Sequence, residues 1–582
     1  MSVNSWVELP ASDMGEAVVL AMGAAGIEYV FFTSASELCF YQEAIAKAAT
    51  TGAKVPKLVT IPHEHVGLNA ALGYAAVTGR PAVTAVHVDA GTLHQGAAIH
   101  TAYRSGLPVL MTAGAPPRAY PGSMRGARSN GAHIWMQQVY DQHAIVRQYV
   151  KWDHRLEYQD NPGLVVGRAL QLACSPPCGP VYLSLPQEMS YRQIESFRFP
   201  TLDQLGIARA PAPEPEGIRE IAARLIHAEN PFVIVSRSGR DPASFQPLVT
   251  LCELLGLPVV NALSRAFNSF PLSHPLYQGA CDLSAADMVL VIDSDVPWMP
   301  GPGEPGADAY VAEIGIDPVK QKVPSYEFSA NIRLISDPAL AISALLDAVQ
   351  ALLGNADRSR YAQRAARWSK ISADNHLSRT KDAQSRAGKN PIDPLWLSYQ
   401  INQFIEEDDI LIDDTLAPAR FHEFVRLNRP RSYFLNPGTS GGWGPGAALG
   451  AKCGAPDRDV ITVTGDGFYM FGTPAAALWT AAHYKLPYLT IVYQNRGYST
   501  GTSRLDQTYP DGFARRQDFD YEGGYFDPPI DFAKEAEAAG AYGENVRDPA
   551  DIAPALRRGR ERIRDGIPAV ISVWLPRALK AD

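Results

Sequence analysis

The chain has 582 residues, 46% of them hydrophobic and 19% charged, with a formal net charge of -9. That length exceeds a single hydrophobic core and predicts roughly three to four units of ordinary domain size. The balance excludes a disordered or collagenous chain and disfavours nucleic acid as a partner. The N-terminus "MSVNSWVELPASDMGEAV" has no basic segment ahead of an apolar run, so no secretory signal is expected. Every apolar stretch is broken before about 18 residues, so no membrane span is expected and a cytoplasmic setting is the default. Of six cysteines only Cys174 and Cys178 lie close, and "CSPPCG" lacks a second ligand pair, so zinc is not expected.

In the first block (residues 1–190), "TIPHEHVGLNAALGYAAVTG" (Thr60 to Gly79) reads as a strand end entering an Ala-rich helix. Glu64 stands in its first turn, where a carboxylate complements the helix dipole. "PAVTAVHV" follows as a strand with His87 near its end, an imidazole able to exchange a proton near neutral pH. His63, His65 and His94 are close in sequence. "NGAHIWMQQVYDQHAIVRQYVKWDH" (Asn130 to His154) holds Trp135, Gln137, Gln138 and Trp152; the tryptophans read equally as core or interface aromatics.

"APAPEPEG" (Ala210 to Gly217), Pro-rich and acidic, reads as an extended linker. The central block (211–350) supplies "PFVIVS" and "MVLVID" as strands. FAD or ADP would lie there, along Pro231 to Arg240 and Val291 to Gly306, but no GxGxxG opens a helix and neither nucleotide is supported. A second linker is expected over Asn355 to Pro394, with a helical patch from Arg360 to Trp368.

The last block (390–582) contains "NPGTSGGWGPGAALGA", then "VITVTGDGFYMFG" and "LPYLTIVYQNRGY". Apolar strands without strict alternation, separated by Ala-rich helices, give an α/β fold class for all three blocks, each a mostly parallel sheet flanked by helices. "ALGYAAVTGRPAVTAVHVDAG" also lies well beside "ALGAKCGAPDRDVITVTGDG", each followed by a helix, Leu-Pro and a strand. That repeat predicts two units of like topology facing each other.

Asp466 falls just past a strand's carboxyl end, where open α/β sheets bind ligands. Gly465 and Gly467 let a phosphate approach the backbone, and the next helix offers unpaired N–H groups. A carboxylate facing phosphates needs a cation between them, so Mg²⁺ or Ca²⁺ is expected. Asn495, one βα unit later, and the main-chain carbonyl of Gly497 would complete the protein ligands Asp466, Asn495 and Gly497.

These residues resemble a family. Gly465-Asp466-Gly467 with Gln494-Asn495 is similar to the GDG…NN signature of thiamine diphosphate (ThDP) enzymes, although that family usually has Asn where Gln494 stands. "ALWTAAHYKLP" and Val86 to Gly114 resemble benzoylformate decarboxylase, and His87 falls on an active-site histidine of that group. The His-Glu-His segment around Glu64 is similar to the family's cofactor-activating glutamate. Trp135-Met136-Gln137-Gln138 resembles the Phe-Gln-Glu of acetolactate-synthase and 2-hydroxyacyl-CoA lyase relatives, with Gln137 facing substrate.

The resemblance implies pyrimidine-binding, central and diphosphate-binding domains in that order, Mg²⁺ beside ThDP, and a site shared between subunits. A homodimer is then the minimum and a homotetramer common, with a small-molecule substrate and no nucleic acid or membrane partner. Relatives carry a bulky apolar residue beneath the cofactor's bend. An ungapped match puts Gly441 there, so Trp443 or a shifted backbone is expected to fill the space. Residues 499–530, rich in Gly, Tyr, Arg and Asp, are expected to form a lid. The reaction implied is carbon–carbon bond cleavage or formation by a lyase or carboligase on 2-hydroxyacyl-CoA, acyloin or 2-oxo acid substrates. The alternatives are a 2-oxo acid decarboxylase and, last, a non-catalytic relative that keeps the cofactor.

Overall fold

The computed structural model describes residues 5–128, 131–261, 267–354, 357–415, 420–516 and 521–579. Three six-stranded sheets, parallel throughout, carry the chain. The first runs Lys57–Thr60, Tyr29–Phe32, Ala82–Val86, Val109–Ala115, Pro180–Pro186, Asp153–Arg155 across its width. The third runs Tyr433–Leu435, Ile410–Asp414, Val460–Gly465, Leu489–Gln494, Ala569–Trp574, Tyr542–Val546. Counted within each unit in chain order, both sheets read 2-1-3-4-6-5, so the internal repeat is a repeat of topology. The second sheet, between Pro231 and Ile335, reads 3-2-1-4-5-6. Strands such as Ala82–Val86, Met288–Ile292 and Leu489–Gln494 are buried at every residue, as sheets covered on both faces require.

The two like units meet through equivalent helices, each preceding the third strand of its sheet: Glu64–Thr78 and Trp443–Gly454. Their backbones approach closely enough that a Cβ on Gly73 would overlap the Ala447 carbonyl and one on Gly450 the Ala70 carbonyl. One apolar cluster spans the junction, with Ala70, Tyr74, Trp443, Ala447 and Leu449 buried together.

The linkers divide. Residues 207–214 have no regular structure, and Glu214 caps the helix Pro215–His227 through the N–H groups of Glu216 and Gly217. The second linker is instead largely one helix, Ser359–Gln384, far longer than the expected patch. It docks by Arg364, whose guanidinium donates to the carbonyls of Leu255 and Ala228. No helix among the described residues is long and apolar enough to cross a membrane.

Candidate active site

At the carboxyl ends of the third sheet's strands lies a cavity of about 400 Å³. Asp414, Gly465, Asp466, Phe468, Asn495 and Gly497 are on its wall. Asp466 opens the helix Asp466–Phe471 and is only 2% exposed. Its Oδ1 accepts the Gly467 N–H at 2.8 Å and its Oδ2 the Arg496 N–H at 2.5 Å. Among the described residues no cationic side chain pairs with it, and burial pushes its carboxyl up to about 7, against the pull of those N–H groups. A carboxylate this deep without a counter-charge is the donor a hard divalent ion needs. Asn495 stands beside it, its Oδ1 accepting the Gly497 N–H at 3.1 Å and its Nδ2 donating to Ser499 Oγ at 3.2 Å. Gly465 would present a Cβ to open space, so the backbone here is accessible to a phosphate. The donor set therefore fits an ion and a diphosphate.

Arg496, between Asn495 and Gly497, holds φ at 63°, a left-handed conformation, and its N–H meets Asp466. Gly497 has no room for a side chain, since a Cβ would come within 2.9 Å of the Tyr525 ring. Gln494 points elsewhere: it donates to the Ile530 carbonyl at 2.6 Å and accepts from Ser572 Oγ. Asp414, fully buried, accepts the N–H groups of Gly442 (3.2 Å) and Gly444 (2.9 Å), and so caps the Trp443–Gly454 helix from a neighbouring strand. Burial raises its carboxyl to about 6.

The first sheet carries the other chemical groups. Glu64 is the first residue of its helix, 7% exposed, with His94 Nδ1 3.3 Å from its Oε2. His63 stacks on His94 at 5.6 Å, whereas His65 is turned into the helix junction, 3.2 Å from the Gly442 carbonyl. His87 follows the strand Ala82–Val86; its Nδ1 lies 2.6 Å from Glu37 Oε1 and its Nε2 3.1 Å from Gln137 Oε1. Glu37 is fully buried, also accepts the Val88 N–H at 3.3 Å, and raises the imidazole pKa of His87 above its ordinary value. A Cβ on Gly91 would stand 3.3 Å from Glu64 Oε1 and 3.2 Å from His87 Cβ, so carboxylate and imidazole flank one glycine.

Sequence reasoning missed Glu37. Its signal is an acid just past the strand Tyr29–Phe32, which neighbours the His87 strand in the sheet. Two expected cofactor residues sit off the cavity wall. Trp443 is 2% exposed within the apolar cluster, and a Cβ on Gly441 would lie 2.7 Å from Cγ of Phe468, inside that ring's contact volume. Asn130, at the start of the segment holding Trp135 to Gln138, and residues 517–520, in the expected lid, lie outside the described residues. Elsewhere in that segment, Ser499–Thr508 is a helix whose first turn lines the cavity. Glu64, His87 and Gln137 do not line it: among the described residues the wall comes entirely from residues 394–578.

Fold and site define a duplicated α/β enzyme whose two chemically equipped strand ends belong to equivalent units. The chain belongs to the thiamine pyrophosphate enzymes. Residues 12–145 match the family's N-terminal TPP binding domain and 417–573 its C-terminal TPP binding domain. It is 28% identical over 451 residues to benzoylformate decarboxylase of Pseudomonas aeruginosa, covering 75% of this chain and 78% of that one. Sulfoacetaldehyde acetyltransferase of Castellaniella defragrans is 24% identical, with 97% and 93% covered. Among solved structures, a ThDP-dependent 4-hydroxybenzoylformate decarboxylase of Rhodococcus jostii superposes with a TM-score of 0.76 at 20% identity, with 98% and 100% covered. The chain is thus a ThDP-dependent enzyme of the decarboxylase, acetolactate synthase and acetyltransferase type.

Proposed function

We propose that this enzyme uses ThDP and Mg²⁺ to break, and in reverse to make, the carbon–carbon bond beside a carbonyl, with a 2-oxo acid as its first substrate class. The observation that carries the site is Asp466, a buried carboxylate that pairs with no cationic side chain among the described residues. Asp466, Asn495 and the Gly497 carbonyl are assigned to Mg²⁺, and Gly465 and Gly467 to the diphosphate. When bound, ThDP supplies a nucleophilic carbon and an electron sink. Glu64 holds the aminopyrimidine end by a carboxyl hydrogen bond. Because Glu64 and the Asp466 cavity do not meet within one chain, Glu64 serves the cavity of a second copy, which makes a homodimer the minimum and a homotetramer the natural extension. Residues 1–190, 211–350 and 390–582 are then the pyrimidine-binding, central and diphosphate-binding domains.

His87 exchanges protons with the substrate, its charged form favoured by Glu37, and Gln137 orients it through Nε2. That histidine, together with the named decarboxylases among the relatives, moves the decarboxylase reading ahead of lyase or carboligase action on acyloins or 2-hydroxyacyl-CoA. The latter retains one support, the likeness of Trp135 to Gln138 to those relatives, and departs from them at Gln138, a neutral residue engaged by Arg128 where they carry an acid. A panel of 2-oxo acids, 2-hydroxyacyl-CoA esters and aldehyde pairs, with carbon dioxide, aldehyde and acyloin all followed, separates the two. Glu64→Gln is expected to keep ThDP bound and to lose turnover by about 10²-fold or more. Undiminished turnover would remove Glu64 from the mechanism.

A further inference from the structure

We infer that Phe468 is the apolar seat for the ring portion of ThDP in this chain, and that Gly441 is a glycine because the Phe468 side chain takes its space. The inference rests on the cofactor assignment above and adds a residue to it. ThDP has a diphosphate at one end and heteroaromatic rings at the other. Asp466 and Asn495 provide a carboxylate and an amide suited to the cation that accompanies a diphosphate, so this part of the wall belongs to the first end. Phe468 follows Gly467 in the same short helix, is half-buried, and lines the same cavity. A phenyl ring contributes nothing to a diphosphate, but its face suits a cationic aromatic ring.

The ring is held where it is. On one side Gly441 leaves it room: a Cβ there would stand 2.5 Å from Phe468 Cε1 and 2.7 Å from Cγ, too close for two carbons. On the other, Phe471 lies 6.5 Å from it, Tyr498 stacks on Phe471 at 5.9 Å, and Phe526 meets Tyr498 edge-on at 4.8 Å. One volume beside the cavity is thus filled from position 468 and vacated at position 441. Trp443 cannot fill it, being packed into the helix junction.

The test is binding, read by quenching of intrinsic fluorescence and by calorimetry on the full-length protein with Mg²⁺, using ThDP and inorganic diphosphate as two probes. Phe468→Ala is expected to weaken ThDP about tenfold or more while leaving inorganic diphosphate within about twofold. Phe468→Leu, which keeps apolar bulk, stays within about threefold for ThDP, and Phe468→Gln falls as far as alanine, so a misfolded alanine variant does not leave the question open. Gly441→Leu alone weakens ThDP, and Gly441→Leu with Phe468→Ala recovers most of the loss. Equal losses on both probes, or none on ThDP, overturn the role of Phe468. A double variant worse than Gly441→Leu overturns the exchange of volume. If the wild type binds no ThDP, the cofactor assignment falls first and this inference with it.

Discussion

Asp466→Asn should make the apo protein more stable at alkaline pH, and less responsive to cation and cofactor. In the folded chain the Asp466 carboxyl sits at about 7 against an ordinary 3.8, because burial disfavours its charged form. The difference of about three pH units corresponds to roughly 4 kcal/mol at 1.36 kcal/mol per unit, an upper figure for one buried group. Since the folded value is the higher one, the stability gained from protonation is fully present below about pH 4 and is lost as pH rises through about 7. Asparagine removes the charge but returns part of the gain. Its Oδ1 can accept only one of the Gly467 and Arg496 N–H groups, and the other then faces an amide N–H at a cost of about 1–3 kcal/mol. The net expectation is about 1–3 kcal/mol in favour of the variant at pH 8, shrinking or reversing at pH 5. For a unit of this size that is about 2–4 °C per kcal/mol.

Thermal unfolding of both apo proteins across pH 5 to 8 reads this directly, because titrations shared by the two cancel in the difference. Mg²⁺ with ThDP should raise the wild-type midpoint and leave the variant nearly unmoved. A difference in Tm that does not change with pH, or an equal response of both proteins to Mg²⁺ and ThDP, would refute the assignment of Asp466 as an uncompensated ion ligand.

Glu37→Gln removes the group that raises the His87 pKa, so the histidine-dependent limb of the pH–rate profile should move to lower pH, with the ring followed by NMR. The stability of that pair is present below 6.5 and is lost as pH rises through the raised folded value, so the variant's deficit should narrow at alkaline pH. A profile lowered in height but unmoved in position would reduce Glu37 to packing. Gly450→Leu forces a side chain into the Ala70 carbonyl at the helix junction and should cost about 3 kcal/mol or more, or prevent assembly; a near-wild-type Tm would contradict the close approach. Limited proteolysis between Arg504 and Arg516 should slow when cofactor and a substrate analogue are present, and cleavage insensitive to both would remove the lid.

The features legible in the sequence were those written locally. A strand ending in Gly-Asp-Gly announces Asp466, and an Asn one βα unit later announces Asn495, because adjacent parallel strands deliver their ends to the same edge. The repeated helix, Gly-Pro or Ala-Pro turn and strand announced the like topology of the outer units for the same reason. Glu37 was not legible, since its partner His87 lies 50 residues away and only the pairing of Tyr29–Phe32 with Ala82–Val86 brings them together. The helix Ser359–Gln384 was read as linker because it is polar on most of its surface, and its apolar contacts with the central core are confined to Tyr361, Ala365 and Trp368 in its first turns, beside the buried Arg364.

Gly441 and Phe468 show a third kind of illegibility. Each position taken alone departs from what a cofactor pocket needs, and only the distance between them makes one departure the reason for the other. The duplication supplies the wider frame. In the first unit the chemistry sits at the start of the helix before the third strand, at Glu64, and at that strand's end, at His87. In the third unit the equivalent helix start is occupied by Trp443 and gives only packing, so the site is built after the strand, at Asp466. On the function proposed above, two copies of one topology hold opposite ends of one ligand across two chains, and within each chain the helix pair cannot acquire side chains at Gly73 or Gly450 without moving its own two units apart.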